Sequence, residues 1–304
     1  MAISRAQLVK ELEPGLNALF GLEYKRYENQ HAEIYTTESS DRAFEEEVML
    51  SGFANANVKV EGSGVAYDEA QETYTARYTH DTLALAFSIT EEAIEDNLYD
   101  RLASRYTKAL ARSMSNAKQV KAVTPLIDGL PSTDGYDSGD GVSLFNTSHT
   151  TVSGTAVKNT LTTQADLNET SLEQALIDIA GMTDERGLRV AARGVKMIIP
   201  SELQFTAERL MKSQGRTGTA DNDINAIVSM GMVPQGYRVN NYLTDSDSWY
   251  LMTDVPNGMK YFNRAPLTTA MEGDFDTGNV RYKARERYSF GVSDPRGIFG
   301  VEGA

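Results

Sequence analysis

Residues 72–121 read ETYTARYTHDTLALAFSITEEAIEDNLYDRLASRYTKALARSMSNAKQVK, and the hydrophobic period changes twice within this stretch. Up to His80 the chain alternates, with Tyr74, Ala76, Tyr78 and His80 on one side. Beyond it the large apolar residues, Leu83, Leu85, Phe87 and Ile89, stand at odd positions. Strand side chains alternate faces with a period of two, so the apolar side switches near Asp81, where a bend or bulge is expected. The eighteen residues Glu72 to Ile89 span roughly 60 Å at ~3.3 Å each. A two-stranded ribbon of that length is marginal alone in water, which favours laying it on a neighbouring subunit. Two ordinary strands of one sheet joined at Asp81 fit the residues equally well.

The period then becomes helical. Ser88-Ile-Thr-Glu91 spells a capping box, and Glu91, Glu92, Glu95 and Asp96 fall in the first two turns, where the helix dipole favours acids. Ile94, Leu98, Leu102, Tyr106, Leu110 and Met114 recur every four residues, and Arg101, Arg105, Lys108, Arg112, Lys118 and Lys121 load the later turns. No breaker occurs before Pro125, which gives a helix of ~45 Å at 1.5 Å per residue, long enough to act as a spine.

Working outward, the N-terminal side is less regular. Ser4 with Gln7 resembles a second capping box before Leu8 and Leu12, Pro14-Gly15 interrupts, and residues 38–47 are polar. The first fifty residues never complete a core pattern and read as an arm that packs on something else. On the C-terminal side, residues 128–141 form a Gly/Asp/Ser loop. Helical spacing follows from Asn168 to Arg186 and from Ser201 to Lys212, with strands expected at Val195–Ile199, Tyr237–Leu243 and Trp249–Thr253. Gly278–Val292 alternates again, with Arg281, Lys283, Arg285 and Arg287 opposite Tyr282, Ala284, Glu286 and Tyr288, and Asp294-Pro-Arg-Gly297 turns the chain. The pattern is α+β.

Composition narrows the function. The 304 residues carry 43 acidic against 29 basic side chains, a net charge of −14. Average surface of that sign does not grip polyanions, since duplex binding rests on clustered Lys and Arg. There is no cysteine, which removes disulfides, thiolate metal sites and cysteine nucleophiles. No run reaches the ~18 apolar residues of a membrane span, and Glu11 and Glu13 stand where a secretory signal needs an apolar stretch. The expectation is a folded protein that works where it is made.

Chemistry is sparse. His31, His80 and His149 have no partner at helical metal-ligand spacing and are expected to be hydrogen-bonded surface or interface residues. Asp221-Asn-Asp223-Ile-Asn225 begins like a calcium loop but has Ala226 for the required glycine and Met232 for the final acid; Asp134–Gly141 and Asp245-Ser-Asp247 fail similarly. A turn or helix-start role suits each better. Neither a nucleophile elbow nor a phosphate loop is present. No catalytic residue, cofactor or metal is expected. What remains is charge layout: the acids Glu61, Asp68, Glu69 and Glu72 against the basic row Arg281, Lys283, Arg285 and Arg287. These are either solvated faces or opposite signs that meet across subunits and set register.

The stretches YTHDTLALAFSITEEAIEDNLYDR (78–101), LFNTSHTTVSG (144–154), TADNDINAI (219–227), NYLTDSDSWYL (241–251) and DFDTGNVRYKARERYSFGVSDPRG (274–297) resemble the major head subunit family of Mu-like phages and prophages. With it comes resemblance to the tailed-phage major capsid protein fold of the Hong Kong 97 type. The resemblance implies an N-terminal arm at 1–50, an extended β-hairpin loop at 51–87 that lies over a neighbour, and a spine helix of the peripheral domain at 88–124. An axial domain at 125–265 and peripheral C-terminal strands at 266–304 complete it. It further implies a structural protein of the virion that assembles as hexamers and pentamers into an icosahedral shell around packaged DNA, in the host cytoplasm. Partners would be its own copies, a scaffold, a portal and decoration proteins, with no membrane. Subunit contacts are expected at Glu61, Asp68, Glu69, Glu72, Tyr74, Tyr78, Arg281, Lys283, Arg285 and Arg287.

Some relatives cross-link through a loop lysine; residues 61–80 here have none and Lys59 is expected at the loop's base, so a non-covalent shell is expected. No long scaffolding segment precedes the ribbon, which makes scaffold a separate protein or a segment removed beforehand. A nanocompartment shell of the same fold around an enzyme cargo, a tail or head-completion protein, and a serine hydrolase using His149 are the alternatives.

Overall fold

The computed structural model describes residues 5–95, 99–215, 223–274 and 277–304. Helix α1 (Arg5–Arg26) runs straight through Pro14, where an interruption was expected. Proline removes one N–H and crowds the preceding turn, but Leu16 and Phe20 beyond it are buried in the body and hold the helix in place. The side chains of Ser4, Leu8 and Leu12 lie outside the described residues. Strands β1 (Thr36–Ser39), β2 (Phe44–Leu50), β3 (Glu72–Thr79) and β4 (Asp81–Ile89) follow. The long extended stretch is neither one ribbon nor two strands of one sheet. It divides at His80: β3 pairs with β2 in a two-stranded hairpin, and β4 enters a different, four-stranded sheet. The projecting hairpin is therefore residues 44–79, not 51–87.

After α2 (Glu91–Glu95) comes α3 (Tyr99–Asp128), the spine, which continues through Pro125. Ser88 lies in β4, and the cap is Thr90, whose Oγ1 accepts from the Ala93 N–H at 3.4 Å. A four-residue repeat drifts by about 40° per step on a helix of 3.6 residues per turn. Accordingly Tyr106 is exposed, and the buried line runs through Ala103, Leu110, Ala111, Met114, Ala122 and Leu126. Ile94, Leu98 and Leu102 lie outside the described side chains.

Then come β5 (His149–Thr150), β6 (Ala156–Val157), α4 (Glu169–Ala180), β7 (Gly194–Ile199), α5 (Gln204–Lys212), α6 (Ala226–Ser229), β8 (Tyr237–Val239), β9 (Trp249–Thr253), β10 (Met259–Gly273), β11 (Val280–Val292) and β12 (Ile298–Val301). Asn168 and Ser171 exchange side-chain and backbone hydrogen bonds in a capping box that opens α4, which stops at Gly181, earlier than Gly187. One sheet has the order β1-β10-β11-β4 and another β12-β9-β7-β8. Residues 266–304 are thus shared between sheets: the 3-10 turn at Pro295–Gly297 carries the chain from β11 in the first to β12 in the second. A Cβ on Gly258 would stand 2.7 Å from the Gly297 Cα, so that crossing needs glycine. β10 was not foreseen, because Pro266 and two register shifts interrupt its alternation.

Inward residues of β11, Tyr282 and Ala284, pack with Leu16 and Phe20 of α1 and Leu110 and Met114 of α3. Among them the Lys118 ammonium sits 3.3 Å from the Glu286 carboxylate, both nearly buried, and 5.0 and 4.9 Å from the ring centres of Tyr261 and Tyr288. Tyr24 of α1 donates to the same Glu286 oxygen at 3.4 Å. Burial pushes the Glu286 carboxyl up, while burial of Lys118 is outweighed by that carboxylate and leaves the ammonium above its usual range. This pair joins both helices to the sheet. Nearby, His31 is buried with its Nδ1 unpartnered. Burial and the Lys118 charge lower its pKa to about 4.

Lys118→Met is expected to cost about 3–5 kcal/mol by stranding a buried carboxylate, whereas Lys118→Met with Glu286→Met recovers most of it, as read by urea denaturation. His31 is neutral in the folded state, with a pKa below its unfolded value of 6.5. Its contribution is therefore complete above pH 6.5 and lost as pH falls towards about 4. The loss is on the order of 3 kcal/mol. His31→Phe should flatten that acid limb in melts run across this window.

Candidate assembly interface

The hairpin is antiparallel, with Phe44 opposite Thr79, Glu46 opposite Arg77 and Val48 opposite Thr75. Its two faces differ. Phe44, Val48 and Leu50 are exposed on the outer face, where the Arg77 guanidinium lies 4.0 Å from the Phe44 ring centre and pairs with Glu46 at 3.7 Å. Beyond the strands, residues 51–71 form a loop that turns at Glu61-Gly62. Phe53, Val58, Val60, Val65 and Tyr67 are exposed there, Val58 to 95% and Tyr67 to 98%. An exposed apolar group on a projecting element marks an interaction surface. Lys59 lies just before the turn at the tip, not at the base, which removes the ground on which a non-covalent shell was expected.

The inner face of the hairpin belongs to its own body. Tyr78 is 3% exposed and meets Phe262 edge-on at 4.8 Å. Its hydroxyl donates to Ser293 Oγ, which donates onward to Glu47; Lys260 is bound by that Glu47 and by Glu38 at 3.0 Å. Burial pushes the Tyr78 phenol well up, so it remains a donor. Tyr74 donates to the Ser293 carbonyl at 3.3 Å. Tyr74 and Tyr78, expected at a subunit contact, are therefore committed within the chain.

His80 closes the base. It is buried, not a surface residue, with Nε2 and Nδ1 each 2.9 Å from a hydroxyl, Ser40 and Ser289 respectively. Ser40 donates to Glu45 at 2.7 Å, so it accepts from His80 Nε2–H, and Ser289 donates to Nδ1. Burial and the Arg287 guanidinium lower the His80 pKa, which suits this neutral tautomer.

On the sheet face away from α1 and α3, β11 presents the basic row. Arg281 pairs with Asp274, and Arg287 reaches the carbonyls of His80 and Ala43 at 3.5 Å. Among the described residues Lys283 and Arg285 make no ion pair within the chain. Their register neighbours are small: Ala86 and Ala270 beside Lys283, Ala84 and Thr268 beside Arg285. Two cations thus stand in a shallow trough. The expected acids Glu61, Asp68, Glu69 and Glu72 are all exposed; Asp68 also lies 3.9 Å from Arg186 of the same chain, which donates to the Glu69 backbone carbonyl. The exposed apolar residues of β2 and the loop were missed as contact candidates. The alternation of Phe44, Glu46, Val48 and Leu50 was the signal that could have found the outer face.

His149 is buried too. Its Nδ1 lies 2.7 Å from Asp140, and its Nε2 faces the Leu144 carbonyl and Asn159 Oδ1 at 3.2 and 3.1 Å. Asn159 is oriented by donating to the carbonyls of Leu144 and Pro295. Burial works against ionising Asp140, but hydrogen bonds from His149 and Ser138 outweigh it and lower its pKa. The nitrogen a serine would need is taken, and the adjacent cavity is about 10 Å³; the pair ties the loop between α3 and α4 together and builds no hydrolase triad. Asn225 caps α6 through the N–H groups of Ile227 and Val228; Asp221 and Asn222 lie outside the described residues. Among the described residues no helix is long and apolar enough to cross a membrane, and no group of three or more acids or histidines could hold a metal ion.

The family model described as phage capsid protein matches residues 72–301. No curated protein matches the sequence. Among solved structures, a virus-like particle from Pyrococcus furiosus is similar at 11% identity and TM-score 0.54, covering 95% of this chain and 98% of that one. The capsid of an empty GTA particle is similar at 12% identity and TM-score 0.56 (90% and 89%), and that of Myoviridae phage XM1 at 11% and 0.53 (89% of each). At such identities these likenesses establish the Hong Kong 97-type fold.

The two faces of the hairpin should separate in mutagenesis. Tyr67→Asp is expected to leave the unfolding free energy within about 0.5 kcal/mol. Tyr78→Ala should cost about 3–5 kcal/mol as a large core truncation. Guanidinium titration of the two variants checks both.

Proposed function

The chain belongs to the phage capsid protein family, and from that premise we propose that its copies close into an icosahedral shell by laying each hairpin over a neighbour. It is a structural, major capsid protein; the family match does not favour the nanocompartment or hydrolase readings. In the proposed shell the copies form hexamers and pentamers around packaged DNA. The first sheet with α1 and α3 is the peripheral domain, and the second sheet is the axial domain that gathers at the symmetry axes. Residues ahead of the hairpin form the arm. Scaffold, portal and decoration proteins are the further partners, and assembly takes place in the host cytoplasm.

The observation that carries this reading is the hairpin's exposed apolar loop. A two-stranded ribbon gains little stability by itself, and these side chains find no core in their own chain. Covering them with a second copy removes apolar area from water, at ~25 cal/mol per Å². The same contact repeated by symmetry makes a shell that is stable although each interface is modest. Register comes from charge: Glu61 and Glu72 of the hairpin are exposed, as are Lys283 and Arg285 of the trough, and opposite signs across an interface select orientation more than they add affinity. The net charge of −14 suits a container whose DNA must move, because a basic lining would hold phosphates.

Electron microscopy with sedimentation tests the reading directly. Closed particles, or capsomer-sized rings, are expected; a persistent monomer in the presence of its phage partners would overturn it. Arg285→Glu should leave the subunit folded yet reduce the yield of closed particles several-fold. Glu61→Arg should do the same, and combining the two should restore closure if these charges meet. Raising ionic strength should weaken closure of the wild type, since exposed charges are screened within ~8–10 Å at physiological salt.

A further inference from the structure

The strands of the hairpin lie on the body of their own chain through Glu47, Met49, Tyr74 and Tyr78. The loop beyond them meets the body again where Arg186, in the turn between α4 and β7, reaches its returning arm. Its Nη2 donates to the Glu69 carbonyl and stands 3.9 Å from Asp68 Oδ1. Asp68 in turn clips the loop's two arms together: Oδ2 accepts from the Ala54 N–H at 2.6 Å and Oδ1 from the Glu69 N–H at 3.0 Å.

The turn that carries Arg186 is well braced. Asp184 Oδ1 accepts from the N–H groups of Arg186 and Leu188 at 2.9 and 2.8 Å, and Gly187 takes the left-handed backbone that closes it, with φ of 83°. The Glu185 carbonyl accepts from Ser153 at 3.0 Å, and its carboxylate lies 3.5 Å from the buried Arg296. The Arg186 side chain is 19% exposed, with its Nε buried, so the guanidinium is packed in place before it reaches the loop.

A loop held only where its strands end pivots there, and a further fixed point along its length removes the pivot. We propose that Arg186 is the positioning residue of the hairpin: by holding Asp68 and Glu69 against the α4–β7 turn it sets the angle at which the apolar tip meets a second copy of this chain. The proposal rests on the hairpin contact put forward above. Ordering the arm in the free subunit takes that entropy cost out of the association step. The tip residues Val58, Val60 and Val65 lie beyond the tether and stay exposed, so the tether orients the tip without hiding it.

The chain has no cysteine, so two introduced thiols carry spin labels uniquely. Gly64→Cys places one at the tip, where a Cβ meets nothing within 4 Å, and Thr170→Cys places the other at an exposed position of α4. In the dilute, unassembled full chain, one narrow distance population is expected. Arg186→Ala should broaden it with circular dichroism and melting midpoint unchanged, and should slow assembly several-fold. Arg186→Lys should keep most of the narrowing at low salt. Should Arg186→Ala fail to fold, Asp68→Arg reads the same contact from an exposed residue, and Asp68→Arg with Arg186→Asp should regain part of the narrow population. An unchanged distribution in Arg186→Ala or Asp68→Arg overturns the proposal. A broadened one with unchanged assembly overturns the hairpin contact instead, and supports Arg186 as the tether.

Discussion

His80 is the point on which the outer architecture turns. On one side of it the chain is half of a separate two-stranded hairpin, and on the other it is a strand of the body sheet. The imidazole holds that junction by bonding Ser40, just after β1, and Ser289 of β11 at once. Only the neutral ring has both a donor and an acceptor to give, and burial beside Arg287 favours that form. The clamp sits where the hairpin leaves the sheet, at the Asp81–Tyr288 end of the β4–β11 ladder and beside Arg287 at one end of the basic row.

Within the body the corresponding constraint is the Lys118–Glu286 pair. A buried ion pair is weak evidence for net stability, but it is demanding about geometry. Here it requires α1, α3, β10 and β11 to arrive together, because Tyr24 and the rings of Tyr261 and Tyr288 complete its surroundings. That explains why the first fifty residues are not simply an arm seeking another molecule. Leu16 and Phe20 are core, β1 pairs with β10 and β2 forms half of the hairpin. The segment lacked a complete hydrophobic pattern because its three pieces serve three different surfaces.

What could be read from residues alone was whatever carried a clean period. The alternation of Arg281–Tyr288 placed basic and buried faces correctly, the switch at Asp81 located a real boundary, and the spine helix was evident from its length. The misses share a cause in tertiary context. β10 hides behind Pro266 and its bulges, and α1 and α3 pass through prolines that local rules would make breakers. The three histidines are all buried, His80 between hydroxyls far away in sequence, His149 against Asp140 and Asn159 of its own loop, and His31 against the rings of Tyr261 and Phe290, and no metal-ligand spacing rule detects any of these settings. Among the contact residues, Glu61, Glu72, Lys283 and Arg285 remain on the surface, but Tyr74 and Tyr78 alternate inward. The strand pattern showed that they share a face and could not show whose core that face meets.

The separation between those faces has a consequence for assembly. Residues that hold the subunit together, such as Tyr78, His80 and Lys118, are buried and leave nothing for a neighbour. Those proposed for the neighbour, such as Val58, Tyr67 and Arg285, make almost no contribution to the fold. A subunit arranged in this way can be completely folded before it meets another copy, so association need not wait for folding and carries no folding free energy with it. Each contact can then be weak enough to dissociate when wrongly placed, since errors corrected by reversal depend on the dissociation rate more than on encounter. Symmetry multiplies the correct ones. The braced, clamped hairpin with an apolar tip is the element that such a scheme requires: rigid in direction, stable without its target, and unsatisfied only where the next copy has to bind.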